Sequence, residues 1–395
     1  MNAIADFATR LGQGYAQPDR RLATTAPAAR DWPRPVARPD CVEVSAPGRL
    51  HLGFLDPSAS LGRRFGSIGL VVDGFATELT LVRAPADSLA ADDEAARREL
   101  SRAEQVVTRL RTVTGAASPV GLRLHRVLPA HSGFGSGTQL ALSIGHAFAR
   151  LHGLSLSTAQ IAGLLGRAQR SGVGVAGFDQ GGFLVDGGHA VAGGQGDGAR
   201  DGSSGDASTG MRNGVASTGA GGDAAVRDGT PPILARAHFP EEWAVMLVLD
   251  DAGPGLHGAA EKQAITSLPP FGEARAASVC HQVLMRVLPG LMARDFAAFA
   301  DGITAVQRAI GDHFAPAQGG TMYSSPRVAA LVEWIATRTR AGIGQSSWGP
   351  TGFAFVESRA IAERIAAEAS DLGLIRGGVQ VRIVQGRNTG ARIAA

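Results

Sequence analysis

Lysine is almost absent from this chain: Lys262 is the only one among 38 basic residues. Cysteine and tyrosine appear twice each, and aromatic residues make up 5% of the whole. Each scarcity excludes something. Cys41 and Cys280 show neither metal-ligand spacing nor a disulfide framework, so a reducing, cytoplasmic setting is expected. No apolar run approaches the roughly 20 residues of a membrane-spanning helix. The first 40 residues lack the central apolar segment of a secretion signal. Net charge is only +3, and no basic run interleaved with aromatics marks a nucleic-acid surface. Neither a membrane nor a nucleic acid is expected as a partner. With lysine gone, any phosphate or carboxylate falls to arginine, whose planar fork suits both.

What is present reads as an α+β enzyme of ordinary core content, with 44% hydrophobic residues. Residues 1–40 scatter Arg, Ala and Pro without a sustained period and read as a disordered extension. Order begins at CVEVSAPGRLHLGFLD, a strand that Pro47 and Gly48 are expected to break. Strand patterns continue through GSIGLVVDGFATELTLVRA. Between Glu94 and Val113, Ala96, Leu100, Ala103, Val107 and Leu110 recur at helical spacing, and Gly115 can close that helix. Leu140, Ile144, Phe148 and Leu151 form a second stripe, and Ser157 with Gln160 forms a capping box for a third helix. From 187 to 230 the composition collapses into Gly, Ala, Asp and Ser, which cannot bury enough apolar surface to offset ordering, so a disordered insertion is expected. The bodies on either side are 41–186 and 231–395. The second holds a helix-rich stretch near 271–311, a helix after Pro326, the strand GFAFVE, a helix from Arg359 and a last strand VQVRIV.

The chemistry concentrates in PAHSGFGSGTQ. Gly133, Gly135 and Gly137 with Ser136 and Thr138 stand where a strand hands over to a helix, and the unpartnered first amides of a helix attract anions. His131 and Ser132 open this loop. The loop lacks the Lys-Ser/Thr of a Walker A motif and the dinucleotide fingerprint. A later turn, GIGQSSWGPTGFAF, carries Gln345, Ser346, Ser347 and Trp348.

PAHSGFGSGTQ resembles the second motif of the GHMP kinase superfamily, Pro-x-x-x-Gly-Leu-Gly-Ser-Ser, with Phe134 for Leu and Gly137 for the second Ser. GIGQSSWGPTGFAF is similar to the third motif, where kinases usually carry a small Gly-Gly pair. The ordered series GRLHLGFLD, GRRFGSIGL, HSGFGSGTQ, GRAQRSGVGVAGFDQGGFLVDGG, FPEEWAVMLV, PAQGG and GQSSWGPTGF resembles a non-kinase branch, the β-ribofuranosylaminobenzene 5′-phosphate synthases. That resemblance implies the GHMP fold, with an N-terminal half like ribosomal protein S5 and a ferredoxin-like C-terminal half. It implies condensation of phosphoribosyl pyrophosphate with an aromatic acid, 4-hydroxybenzoate or 4-aminobenzoate. Carbon dioxide and pyrophosphate leave, an early step toward tetrahydromethanopterin. It further implies a homodimer, Mg²⁺ as cofactor and no organic cofactor. The rival on the same fold is an ATP-dependent small-molecule kinase, against which Trp348 and Pro350 argue.

Roles follow from the resembling motifs. Asp179 in GFDQGG occupies the position of the superfamily's catalytic acid, although a glycine-flanked Asp also serves as a turn cap. His51 is a second catalytic candidate. The loop residues from His131 to Thr138 would hold phosphate, Ser136 also meeting the metal through it. Arg49, Asp56, Arg63, Arg64, Arg170, Gln180, Gln318, Gly319 and the 345–348 turn would meet the substrates; Arg167 is a further cation in the same motifs. Finally, AVMLVLDDAGPGLHG resembles the signature of ordinary phosphoribosyltransferases but lacks its Thr-Gly-x-Thr ending, so Asp250 and Asp251 rank low.

Overall fold

A computed structural model describes residues 39–191, 229–251 and 267–395. Most of the expected N-terminal extension and of the expected insertion lies outside the described residues.

The first sheet is built on two long antiparallel strands, β1 (Cys41–Asp56) and β2 (Arg63–Arg83). Pro47 and Gly48 do not break β1. Register shifts at Pro47/Arg49 and His51/Gly53 absorb them, as a bulge does. The bulge has a consequence for burial. Val42, Val44 and Ala46 face one core, whereas Leu50, Leu52 and Phe54 face another: the alternation inverts across Gly48, which stands opposite residues 72–75 of β2.

Next come β3 (Ser88–Ala91), α1 (Glu94–Arg98), α2 (Leu100–Thr114) and β4 (Val120–Arg126). The single helix expected over 94–113 is two, divided at Glu99, and Gly115 closes the second with φ 73°. Then follow α3 (Ser136–His152), α4 (Thr158–Leu164), α5 (Val173–Gln180), β5 (Phe183–Asp186), β6 (His189–Ala190) and β7 (Ile233–Ala237). The capping box of α4 is present: Gln160 N donates to Ser157 Oγ at 3.1 Å and Ser157 N to Gln160 Oε1 at 2.8 Å. Leu140, Ile144, Phe148 and Leu151 are all buried against the first sheet.

The second half contains β8 (Ala244–Asp250), α6 (Glu273–Gln282), a π-helical turn (Val283–Val287), α7 (Leu288–Ala293) and α8 (Phe296–Phe314). It continues with α9 (Pro326–Arg338), β9 (Gly342–Gln345), β10 (Gly352–Val356), α10 (Arg359–Asp371), β11 (Val379–Val384) and β12 (Arg392–Ala394). The second sheet has the order β11-β8-β10-β9 and is antiparallel throughout. The expected boundaries need correction here. β7 pairs with β5 and β12 with β1, so both belong to the first sheet although they lie after residue 230. β6 likewise falls inside the stretch expected to be insertion.

β8 is apolar on both faces because it is covered on both. Val245 and Leu247 join the inter-sheet core with α8, while Ala244, Met246 and Val248 pack under α9 and α10. Phe299 of α8 is central, 5.1 Å from the Trp243 ring and 5.3 Å from that of Phe355. The α8 helix also covers the open edge of β9. Thr304 Oγ1 accepts from Ile343 N at 3.1 Å, and Gln307 Oε1 accepts from Gln345 N at 2.8 Å. Such cover removes an edge that would otherwise template pairing.

Glu273–Ala293 is, among the described residues, the one helical run long and apolar enough to cross a membrane. Its inner face, Ala276, Val279, Val283, Val287 and Leu291, is buried in the inter-sheet core.

Candidate active site

The glycine loop leaves β4 and ends at Gly135, the N-cap of α3, where φ is +75° and no side chain caps the helix. Gly133 (φ +86°) has no room for a Cβ, which would sit 2.4 Å from the carbonyl oxygen of Ser346. This close approach sews the loop to the 345–348 turn. Ser346 Oγ, fully buried, donates to Gly133 O at 2.7 Å and accepts from His51 N at 3.0 Å. Arg49 Nη1 donates to the same Gly133 carbonyl at 3.0 Å. One serine therefore holds β1, the loop and the turn together.

Around this junction lies a cleft of about 340 Å³. Its walls include Gly133, Gly135, Ser136, Gly137 and Thr138, with His131, Ser347 and Trp348 at the side. Among the described residues four arginines face it, Arg49, Arg102, Arg167 and Arg170, and no carboxylate lines it. Arg102 Nη1 is held by Glu99 at 2.7 Å. Arg167 Nε is buried without a hydrogen-bond partner. Burial, and then the neighbouring charge of Arg102, pull the Arg167 guanidinium below its ordinary pKa. Positive side chains gathered at a helix start make this cleft electropositive. The backbone contribution is narrower than the whole loop, since Thr138 N already donates to Gly135 O.

A second, narrow cavity of about 30 Å³ shares Ser347 and Trp348 with the first. Phe54, Ile310, Phe314, Met322 and Trp348 make it apolar, and His51, Gln307, Gln318 and Gln345 supply its polar atoms. As it stands the space holds about one or two waters, so an aromatic ring enters only as Met322 and Phe314 give way. Trp348 packs against Phe314 in a tilted arrangement, with ring centroids 4.6 Å apart. His51 is buried, and its Nε2 has no hydrogen-bond partner. Burial first, then the charges of Arg49 and Arg170, hold its pKa well below the ordinary histidine value, so the ring is neutral near pH 7. Gln345 is fixed from both ends: its Oε1 accepts from Ser324 N at 2.6 Å, and its Nε2 donates to Gln318 Oε1 and Ser347 O, both at 2.9 Å.

Other expected residues are held elsewhere. Asp179 and Gln180 are exposed at the far end of α5. That helix reaches the cleft with its first residues: Gln139 Nε2 donates to Gly174 O at 3.0 Å, and five residues more carry the chain about 7.5 Å along the axis. Asp179 instead accepts from Thr158 Oγ1, which His146 Nε2 contacts at 2.8 Å, so the carboxylate docks α4. Asp56 spends its oxygens on its own turn, accepting from Leu61 N at 2.7 Å, Ser60 Oγ at 3.1 Å and Ser58 N at 3.2 Å. Arg63 donates to the carbonyls of Gly187 and Gly188 at 2.5 and 2.7 Å, and Arg64 lies over the Phe65 ring. Ser132 Oγ turns back to Ala130 O at 3.2 Å. Gly319 ends a 3₁₀ turn, exposed and outside both walls. Asp250 is tied by Arg327 and Ser325, away from the cleft.

Arg102, Gln307, Phe54, Phe314 and Met322 escaped the sequence reading. Only Gln307 had left a signal, a polar residue within the apolar stripe Phe299, Ile303, Val306, Ile310.

The lining does not suit a metal held by protein carboxylates: magnesium asks for oxygen donors, and among the described residues the cleft offers guanidinium groups and the three hydroxyls of Ser136, Thr138 and Ser347. No cluster of metal-ligating side chains occurs among the described residues.

Two sheets with these loops define a GHMP-type protein, and the comparisons agree. Residues 101–187 match the GHMP kinases N terminal domain, and 287–373 match the GHMP kinases C terminal domain. A homoserine kinase from Cytophaga hutchinsonii superposes with a TM-score of 0.59 at 16% identity, covering 91% of this chain and 99% of that one. A phosphomevalonate kinase from Streptococcus pneumoniae gives 0.58 at 11% identity, covering 88% and 99%. These likenesses carry the fold. Beta-ribofuranosylphenol 5′-phosphate synthase from Methanothermobacter thermautotrophicus is 26% identical over 354 residues, 88% of this chain and 97% of that protein. The enzyme of the same name from Archaeoglobus fulgidus is 28% identical over 319 residues, 81% of this chain and 89% of that one. The chain thus carries both GHMP kinase domains and is similar to these synthases, which are enzymes, over more than four fifths of its length.

Proposed function

We propose that the enzyme joins phosphoribosyl pyrophosphate to an aromatic acid, 4-hydroxybenzoate in preference to 4-aminobenzoate, on the route to tetrahydromethanopterin. The preference follows the phenol in the relatives' name. The observation that carries the reading is the cleft at the glycine loop, lined among the described residues by four arginines and no carboxylate, beside an apolar slot with a neutral histidine.

In this reading the diphosphate and 5′-phosphate lie among Arg49, Arg102, Arg167, Arg170 and the start of α3. Preorganised donors there stabilise the charge that develops as the anomeric C–O bond breaks. The ring stands against Trp348 with its carboxylate-bearing carbon toward the sugar. Neutral His51 accepts a hydrogen bond from the para hydroxyl and raises the electron density at that carbon. The new carbon–carbon bond forms there, and the bond to the carboxylate breaks with its electron pair returning to the ring. The sum is one acid and one donor giving the C-riboside phosphate, carbon dioxide and pyrophosphate, with the hydroxyl proton retained. Mg²⁺ would come with the diphosphate, neutralising part of its charge.

The test is pyrophosphate release from phosphoribosyl pyrophosphate with and without 4-hydroxybenzoate. Release that requires the acid supports the reading. ADP formation from ATP and a small alcohol, without it, would support a kinase instead.

A further inference from the structure

The segment 167–172 carries two of the four cleft arginines and has little regular structure of its own. Ala168 lies at φ +63°, a conformation that a residue with a Cβ keeps only when its surroundings impose it. The imposing groups come from the β5–β6 hairpin. Asp186, at the end of β5, is fully buried. Its Oδ2 accepts from Gly172 N at 2.8 Å and from Ser67 Oγ, and its Oδ1 accepts from Gly188 N at 2.9 Å. With the Ser67 proton engaged by the carboxylate, Ser171 Oγ donates to Ser67 Oγ at 2.6 Å. His189 Nε2 donates to Ala168 O at 3.1 Å. Arg63, clamped to the Gly187 and Gly188 carbonyls, fixes the hairpin from outside.

Every one of those Asp186 partners is a neutral amide or hydroxyl. A carboxylate buried among neutral donors is a costly choice for stability alone. Burial pushes its pKa up, and the donors from Ser67, Gly188 and Gly172 oppose that. Negative charge strengthens each of these hydrogen bonds; one comes from Gly172, which closes the arginine segment, and another from Ser67, which in turn holds Ser171.

We infer that Asp186 is a positioning residue for the anion cleft: its buried carboxylate, through Gly172 and the Ser67–Ser171 pair, fixes the segment that presents Arg167 and Arg170. This inference rests on the reading that the cleft holds the donor's diphosphate. It also gives Arg63 a place in the supporting hairpin in place of a substrate contact.

The experiment measures inorganic pyrophosphate binding to the full chain by calorimetry, for the wild type, Asp186→Asn and Ser171→Ala, with a thermal melt of each. Both variants are expected to weaken pyrophosphate at least fivefold while still melting cooperatively. In turnover, KM for phosphoribosyl pyrophosphate rises by a similar factor and KM for the aromatic acid stays within twofold. A merely structural role would lower the fraction of active enzyme and leave both KM values unchanged, which overturns the inference. So does pyrophosphate affinity within twofold of wild type in a folded Asp186→Asn. If that variant fails to fold, Ser171→Ala, which removes one hydroxyl at the end of the segment, decides by the same criteria. A wild type that does not bind pyrophosphate overturns the underlying reading of the cleft itself.

Discussion

Replacing Arg167 with Met should make the unliganded protein more stable and the ligand weaker. The position a Cβ would take on Gly137 lies 3.6 Å from Arg167 Nη1 and 3.9 Å from Arg102 Nη1, so these nitrogens are at most about 7.5 Å apart. At an effective dielectric constant near 20, two unit charges at that distance repel by about 2 kcal/mol. Glu99, paired with Arg102, removes part of this, leaving about 1 kcal/mol to be recovered when Arg167 goes. Methionine keeps most of the apolar stem and needs no partner for the buried Nε. A rise in melting temperature of about 2 °C is expected for the apo protein. Against this, one or two charge-assisted hydrogen bonds to the anion, each about 1.5–3 kcal/mol, are lost. Pyrophosphate affinity should then fall about 10- to 100-fold or more, since every 1.4 kcal/mol is tenfold. Calorimetry with pyrophosphate and a melt of the apo protein give both numbers from one preparation. A lower melting temperature with unchanged affinity would make Arg167 a structural residue and refute the electrostatic reasoning.

Three further outcomes are expected. His51→Gln should reduce kcat by about 10²-fold or more, the range of a lost proton-transfer or hydrogen-bonding group, while pyrophosphate affinity measured directly stays within about threefold; equal losses in both would place His51 in donor binding. Asp179→Asn should keep turnover within about threefold but lower the melting temperature, because its carboxylate docks α4 and not the substrate; loss of turnover without loss of stability would restore it to the mechanism. The fold should weaken in mild acid. His146 has a folded pKa of about 4, below the ordinary 6.5, because it is buried and near Arg150. The unfolded chain therefore takes up a proton that the folded one refuses. Stability is whole above pH 6.5 and declines as pH falls toward 4, by about 3 kcal/mol from this residue at most. His51, His152 and His313 are shifted in the same direction. Urea titrations at pH 7.5 and 4.5 check it, and equal midpoints would contradict it.

The parts of the site that were legible in sequence are those whose chemistry is local. Three glycines before an apolar stripe announce a loop that must accept positive φ and a close neighbour, and Gly133 and Gly135 do both. Gln345 to Trp348 form a turn of unusual composition, and all but Ser346 line a cavity; Ser346 holds the walls together. What stayed hidden depends on packing between distant elements. Arg102 reaches the cleft because α2 lies beside α3, and nothing in the run LSRAEQ distinguishes it from a solvated arginine. Phe314 and Met322 arrive only when α8 spans the gap between the sheets. The place of Asp179 also depends on geometry that its motif does not carry: it stands at the end of α5, where its carboxylate accepts from Thr158. The strand β12, three residues long, has no pattern of its own and exists because β1 offers an edge. The bulge at Pro47 is the reverse case, where a sequence signal for a break is absorbed by a register shift that turns Leu50 and Leu52 to the other core.

The central claim is that one cleft strips diphosphate from a sugar while the neighbouring ring gives up its carboxylate. It is tested most directly with 4-hydroxybenzoate labelled in the carboxyl carbon, following labelled carbon dioxide and pyrophosphate in the same tube. The account predicts release of the two in equal amounts, only when phosphoribosyl pyrophosphate is present. Pyrophosphate without carbon dioxide, or label retained in a phosphorylated product, would contradict it.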